Sequence, residues 1–254
     1  MFHILSKAAL AGAIAVTMIS GLSSPVFGQS TPNIRSSTNY TVKPDRVGDF
    51  TGAVKEYNAL LKKAGYEKGY TMWVTASGPL EYRAVSYSSK WAEFDVTRNT
   101  DPKLKDVQVE LTAIGRRILS CVEKYDRVIM QVNTALSLPR QAEPPKMIQS
   151  VKVRIHPDKV DDYLALMKSD MFPAVQKSEI KTFAVAQARF GAPPYELRIT
   201  IGMDKWADID EVSAIVKAMG GQDHYNAYLK KARPMMSFAE YDISRYMPEL
   251  SYRP

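Results

Sequence analysis

Apolar residues recur along this chain with two different periods, and the periods alternate in a fixed order. Val47, Phe50, Val54, Tyr57 and Leu61 stand three or four positions apart, which is one stripe of a helix. Asp45, behind Pro44, is placed to cap that helix, and Gly65 to end it. Residues 38–43 predict a short strand ahead of Pro44. Residues 70–76 (YTMWVTA) and 81–87 are rich in β-formers on either side of Ser77-Gly78-Pro79, which predicts a hairpin. A helical region then runs from Lys90 to about Lys124 with a break at 97–101, and residues 127–134 (RVIMQVNT) read as a strand. The order is β-α-β-β-α-β.

The same order follows a second time. A strand is expected over 150–156, then a helix from Asp158 carrying Val160, Tyr163, Met167 and Met171. A hairpin over 182–189 and 195–201, a helical region over 205–231 interrupted at Gly220 and Gly221, and a strand over 237–244 complete it. Individual residues match as well. Pro44, Asp45, Val47 and Asp49 recur as Pro157, Asp158, Val160 and Asp162, a shift of 113. Past the hairpin turn, Glu81, Arg83, Lys90, Trp91, Ala92 and Asp95 recur as Glu196, Arg198, Lys205, Trp206, Ala207 and Asp210, a shift of 115. The two extra residues fall in the turn 191–194 (GAPP), where an insertion is tolerated.

This pattern predicts an α+β chain of two ferredoxin-like βαββαβ repeats, 38–140 and 147–254, with a flexible lead-in over 29–37. A Pro-rich linker at 141–146, within the stretch PRQAEPP, keeps the repeats adjacent. Each four-stranded sheet would carry helices on one face and leave the other open. The two antiparallel sheets are then expected to pair as an intramolecular α+β barrel, a monomeric pseudo-dimer whose repeats depend on each other.

The first residues bear on compartment. Residues 8–20 (AALAGAIAVTMIS) form an uncharged, mostly apolar run behind Lys7, too short for a comfortable membrane span. With Val26-Phe27-Gly28 after it, the reading is a signal peptide over 1–28, with a membrane anchor as the competing one. Export to the periplasm or medium would leave 226 of the 254 residues and lower the formal charge from +7 to +6. The charges are interspersed, so nucleic acid is not an expected partner, nor is stable membrane insertion after cleavage. The lone Cys121 cannot form an internal disulfide, and its helical spacing from Ile118 marks it as core.

The element order, the strand-Pro-Asp-helix entries and the repeated Lys-Trp-Ala segments (Lys90 to Ala92, Lys205 to Ala207) resemble the dimeric α+β barrel superfamily. Antibiotic-biosynthesis-type monooxygenases and NIPSNAP-like proteins are among its members. The resemblance covers most of residues 38–250 and implies a fold rather than an activity. Single units of the superfamily usually pair as homodimers; here the pair would lie within one chain. Its activities include cofactor-free oxygenation, haem binding or degradation, and isomerase or lyase chemistry, but none of their catalytic signatures maps onto this sequence.

Candidate chemistry comes mainly from strand alternation. Lys152, Arg154 and His156 oppose Val151, Val153 and Ile155; Glu196, Arg198 and Thr200 oppose Leu197, Ile199 and Ile201; Glu240, Asp242 and Ser244 oppose Ala239, Tyr241 and Ile243. If the apolar faces pack on helices, mixed charges line the space between the sheets. That lining suits a polar ligand, or ion pairs that glue the halves, and the recurrence of Glu81 and Arg83 as Glu196 and Arg198 favours glue. His156 stands where the first half has Lys43. His224 lacks a first-half counterpart, and haem-binding members of the superfamily often use a histidine from that region. Trp73 has only Ala186 opposite it in the alignment, whereas Trp91 and Trp206 recur and point to packing. The ligand-binding candidates are therefore Trp73, Arg154, His156, Glu196, Arg198 and His224. No metal-ligand spacing, phosphate loop or nucleophile elbow is present, so no metal and no cofactor are expected, haem being the one cofactor the resemblance allows. The expectation is an exported small-molecule-binding protein, with a cofactor-free monooxygenase or haem-handling enzyme, or a structural envelope protein, as the alternatives.

Overall fold

A computed structural model describes residues 33–98, 100–209 and 213–254 of the protein. The expected signal peptide over 1–28 and the repeat residue Asp210 lie outside the described residues. The first half contains β1 (Ile34–Val42), α1 (Val47–Lys63), β2 (Thr71–Thr75), β3 (Glu81–Ser88), α2 (Gln108–Ser120) and β4 (Val122–Val132). The second begins with β5 (Met147–Ile155) and α3 (Val160–Leu166). A π turn (Met167–Met171) then leads into α4 (Phe172–Gln176). It continues with β6 (Phe183–Phe190), β7 (Glu196–Met203), α5 (Ala214–Ala218), α6 (Gln222–Ala232) and β8 (Met236–Tyr246).

The strands form one closed antiparallel barrel in the order β1-β3-β2-β8-β5-β7-β6-β4, with β4 returning to β1. The register is the same in both halves. Ser36, Thr38 and Tyr40 of β1 oppose Ser86, Ala84 and Tyr82 of β3. Gln149, Val151 and Val153 of β5 oppose Ile201, Ile199 and Leu197 of β7, which are the positions reached by shifts of 113 and 115. Two seams join the halves. Trp73 and Thr75 pair with Tyr246 and Ser244, while Met130 and Val132 pair with Ala188 and Ala186. The expected barrel within one chain is present: the two sheets join edge to edge along both seams, leave no open edge and turn their inward faces toward a common interior.

Helices cover the outside of the barrel on both halves. Phe50, Val54 and Leu61 of α1 are buried with Met72, Tyr82, Leu111 and Cys121, so the predicted helical stripe and the core position of Cys121 hold. Gly65 ends α1 at φ 63°, and the Gly65 and Tyr66 N–H groups donate to the Lys62 and Leu61 carbonyls, satisfying the helix's last turn. Asp45 does not cap α1. A 3₁₀ turn (Pro44–Arg46) intervenes, and no side chain hydrogen-bonds at either N-cap. Residues 34–37, expected as flexible lead-in, are strand. Arg35, Ser37 and Asn39 alternate along β1 facing the barrel interior, where polar residues give none of the apolar alternation that marks a strand.

The β6–β7 turn packs against the barrel through Gly191, which has φ 78°, and a Cβ there would overlap the Arg127 carbonyl oxygen of β4. Gly78, at the matching turn of the first half, also has positive φ (87°) but open space around it. Gly78→Ala should therefore cost only the backbone penalty of about 1–2 kcal/mol. Gly191→Ala should cost clearly more, read as a larger fall in melting temperature. Equal falls would mean that the turn does not close on β4.

Candidate functional site

Two spaces in the molecule can hold chemistry: the barrel interior and a cavity outside the sheet. The interior is filled by a charged network. Arg83 Nη2 lies 3.0 Å from Glu81 Oε1, its Nη1 lies 3.5 Å from Asp242 Oδ1 across the β2–β8 seam, and its Nε donates to Asn39 Oδ1 at 3.1 Å. Asn39 in turn donates to Asp126 at 2.8 Å. Arg198 Nε pairs with Glu196 Oε1 at 3.3 Å, and Arg35 Nη1 donates to the Thr200 hydroxyl at 3.2 Å. Burial pulls the Arg35 guanidinium below its ordinary pKa; Tyr87 opposes this, and Arg198 and Arg83 add to it by repulsion. Buried charges are tolerated only when paired, and apart from Arg35 these are.

The second space lies between the outer face of β1 and β3 and the helices α1 and α2, a cavity of about 1050 Å³. Its floor is made of short side chains, Ser36 and Thr38 from β1 and Ala84 and Ser86 from β3. Arg98, on the loop before α2, holds its guanidinium over three rings, 5.6 Å from Tyr57, 5.9 Å from Tyr66 and 5.2 Å from Tyr70. Arg127 of β4 donates to Ser36 Oγ at 2.8 Å and lies 5.4 Å over Phe94. Arg140 of the linker lies 4.2 Å over Tyr87. The C-terminal segment closes one wall. Tyr70 and Tyr252 exchange backbone hydrogen bonds at 2.9 and 3.0 Å, and the Asn58 amide donates to the Leu250 carbonyl at 3.1 Å.

The corresponding space in the second half is nearly full, about 80 Å³ remaining among Val151, Ile199, Ile201, Met171, Tyr225 and Tyr228. The cause is visible position by position. Where the first half has Ser36, Thr38, Ala84 and Ser86, the second has Gln149, Val151, Ile199 and Ile201. One sheet face is built to leave room and the other to fill it.

The sequence candidates do not converge. Trp73 is buried inside the barrel, its indole N–H donating to Thr71 at 3.0 Å and its ring 5.3 Å from Tyr246. Glu196 and Arg198 pair with each other there within β7, while the ion pair that crosses between the halves is Arg83 with Asp242. Arg154 is exposed over Phe238 at 5.5 Å. His156 is exposed at a turn without a side-chain cap, and His224 is exposed with Nδ1 3.3 Å from the Gly220 carbonyl oxygen. None of the six lines the large cavity. Trp91 and Trp206 are not packed at helix starts as expected: both are exposed, at 44% and 42%, and Trp91 meets Phe190 edge-on. The residues missed were Arg98, Arg127 and the tyrosines around them. The signal that could have found them is the comparison of outer-face strand positions between halves, where Ala84 and Ser86 align with Ile199 and Ile201.

No family model matches the chain and no curated protein matches its sequence. Solved structures do match. A proposed monooxygenase from Lactobacillus acidophilus superposes with a TM-score of 0.59 at 7% identity, covering 87% of this chain and 96% of that one. A second proposed monooxygenase, from Fusobacterium nucleatum, gives 0.57 at 10% identity, covering 88% and 99%. An anthrone oxidase-like protein gives 0.55 at 10%, covering 85% and 92%. The chain shares the fold of these structures, an α+β arrangement around a closed eight-stranded antiparallel barrel. At these identities the likeness of this α+β barrel to its neighbours speaks for architecture alone. Among the described residues, no helix is long and apolar enough to cross a membrane and no cluster of metal-ligating side chains occurs.

Burial pushes the phenols of Tyr40, Tyr70, Tyr163 and Tyr228 above their ordinary value of 10.0, and Tyr225 up to about 12. A phenol with a higher pKa folded than unfolded stabilises the fold below pH 10 and loses that contribution as pH rises. Stability should therefore fall progressively above about pH 10, and phenolate absorbance should show a set of tyrosines that ionise only with unfolding. Titration of all 14 tyrosines near pH 10 without loss of structure would contradict the burial described. In the barrel, Arg83→Met should cost about 1–3 kcal/mol by leaving the part-buried Glu81 and Asp242 carboxylates and the buried Asn39 amide oxygen without this donor. Combining it with Asp242→Asn should cost less than the two single changes added, and strict additivity would show that the seam contact carries no coupling.

Proposed function

We propose that this is an exported tandem of two ferredoxin-like units in which the first binds a small organic molecule between sheet and helices, while the second serves as structure. The single observation that carries the binding reading is the contrast of about 1050 Å³ against about 80 Å³ at corresponding places in the two halves. Concave space with ring faces and a few convergent polar groups is where small molecules bind. The identical strand register of the halves supports the tandem reading, and the closure of both seams within the chain supports a monomer. Export rests on the apolar run over 8–20 and the small residue Gly28 after it.

The described lining of this cavity holds no histidine or cysteine, and His224 stands exposed on the other half, so a haem bound there would need a tyrosine of the lining or Met72 as its iron ligand. Cofactor-free oxygenation of the bound molecule is the second reading, favoured by the monooxygenase and oxidase names carried by the neighbours of matching fold. Oxygen uptake that depends on a bound ligand separates it from simple binding.

The test copies the second half onto the first. Ala84→Ile with Ser86→Ile should narrow the cavity at its floor, leave the fold intact and raise the stability of the unliganded protein by about 0.5–2 kcal/mol. It should also weaken clearly the melting shifts that small organic molecules give with the native chain. Shifts unchanged by the double substitution would place binding elsewhere.

A further inference from the structure

If the first-half cavity is a ligand site, its chemistry narrows what it takes: the geometry points to a planar aromatic anion, its negative group held by Arg98 with Arg127 and its ring system lying among the tyrosines. This deepens the reading above and rests on it.

Arg98, Arg127 and Arg140 face the cavity without an ion pair to a carboxylate among the described residues, and the exposed Arg116 of α2 adds a fourth guanidinium at its margin. The acids at its margin are otherwise engaged. Glu67 pairs with Lys103 at 2.7 Å, and Glu93 accepts the Ser89 and Lys90 backbone N–H groups at 2.8 and 3.2 Å. Arg253, also at the margin, is already paired with Glu143 at 2.7 Å. The contrast with the barrel interior is direct, since Arg83 and Arg198 there each hold a carboxylate. In the cavity the guanidiniums are instead stacked on rings: Arg98 on Tyr57, Tyr66 and Tyr70, Arg127 on Phe94, and Arg140 on Tyr87. A ring contact engages the flat face of a guanidinium. Arg98 also hydrogen-bonds the Tyr57 and Tyr66 side chains, and Arg127 gives its Nε–H to Ser36. The remaining N–H edge of each can donate to a ligand. That edge matches the two oxygens of a carboxylate or sulfonate, and a charge-assisted pair in a partly enclosed site binds about twice as strongly as a neutral one. The remaining lining explains the aromatic part. Tyr40, Tyr57, Tyr66, Tyr70 and Phe94 offer ring faces around a floor of Thr38, Ala84 and Ser86, which is too small to fill the space itself. Cationic edges beside stacked rings, without acids to neutralise them, suit a flat anion better than a neutral hydrocarbon, a sugar or a cation.

Two dyes that fluoresce in apolar sites decide the matter: 8-anilinonaphthalene-1-sulfonate, and N-phenyl-1-naphthylamine, which lacks the sulfonate. The protein used is the full chain after removal of residues 1–28. The sulfonate dye should bind at least about tenfold more tightly than the neutral one. Arg98→Gln should erase that preference, Arg98→Lys should keep part of it, and Arg127→Gln should lower it. If Arg98→Gln does not fold by circular dichroism, Arg98→Lys and Arg127→Gln carry the test. Equal affinity for the two dyes, or a preference untouched by the arginine changes, overturns the anionic class. In that case the ligand-site reading still stands if Ala84→Ile with Ser86→Ile clearly weakens binding of both dyes. If the narrowed variant binds both dyes as the native chain does, or if neither dye binds the native chain, the ligand-site reading falls as well.

Discussion

A β-strand at the edge of a sheet leaves a row of N–H and C=O groups unpaired, and the way this chain satisfies them governs the rest of its structure. Each half, taken alone, would leave β2 and β4, or β6 and β8, with one unpaired side. Pairing β2 with β8 and β4 with β6 removes all four edges at once and turns two sheets into a closed wall. Closure then divides every strand into an inward and an outward face. Eight strands enclose only enough room for side chains, so the inward face becomes a packed interior rather than a channel. Because that interior carries Arg35, Arg83 and Arg198, it holds together only while each finds an acceptor. Arg35 has Thr200 across the barrel, Arg83 has Glu81, Asn39 and Asp242, and Arg198 has Glu196 of its own strand.

The outward faces answer to different demands in the two halves. Around β5 and β7 the outward residues are branched and apolar. With Met167, Met171 and Phe172 from the helices they form a dense core. Around β1 and β3 the same register positions carry hydroxyls and an alanine, and the helices rest on the sheet only toward one end, through Phe50, Val54 and Leu61. The anchoring of the first half is made up elsewhere, by the linker and by the C-terminal segment that reaches back to Tyr70. A half with less internal packing is thus held in shape by borrowed contacts.

Much of this architecture was legible in the sequence because it is written in periodicity. The α1 stripe, the glycine after it and the matched shifts of 113 and 115 all specify backbone arrangements that depend on local spacing. What was not legible depended on closure. The start of β1 was hidden because Arg35, Ser37 and Asn39 look like a solvent-exposed stretch until a barrel forms around them. The charged strand faces were legible as interior; Arg198 pairs with Glu196 within its own strand, and the ion pair that crosses between the halves is Arg83 with Asp242. The cavity was missed for another reason. Chemistry was sought in histidines, a tryptophan and charged strand positions, while the site is formed by the smallness of Ala84 and Ser86 and by Arg98 on an irregular loop that no period predicts. Absence of bulk leaves a signal only when a second copy of the same position supplies the comparison.

The return of the C-terminal segment has a consequence for how such a cavity behaves in time. Tyr252, Asn58 and Tyr70 tie residues 250–252 to the rim of a space lined mainly by the first half. During synthesis the rim cannot be complete until residues 250–252 have left the ribosome, so a chain cut short before them presents no finished pocket. Occupancy therefore reports on chains that carry this segment. A molecule resting there adds its binding free energy to the barrier against fraying of the tail, and the terminus acts as a latch whose grip strengthens with what lies behind it.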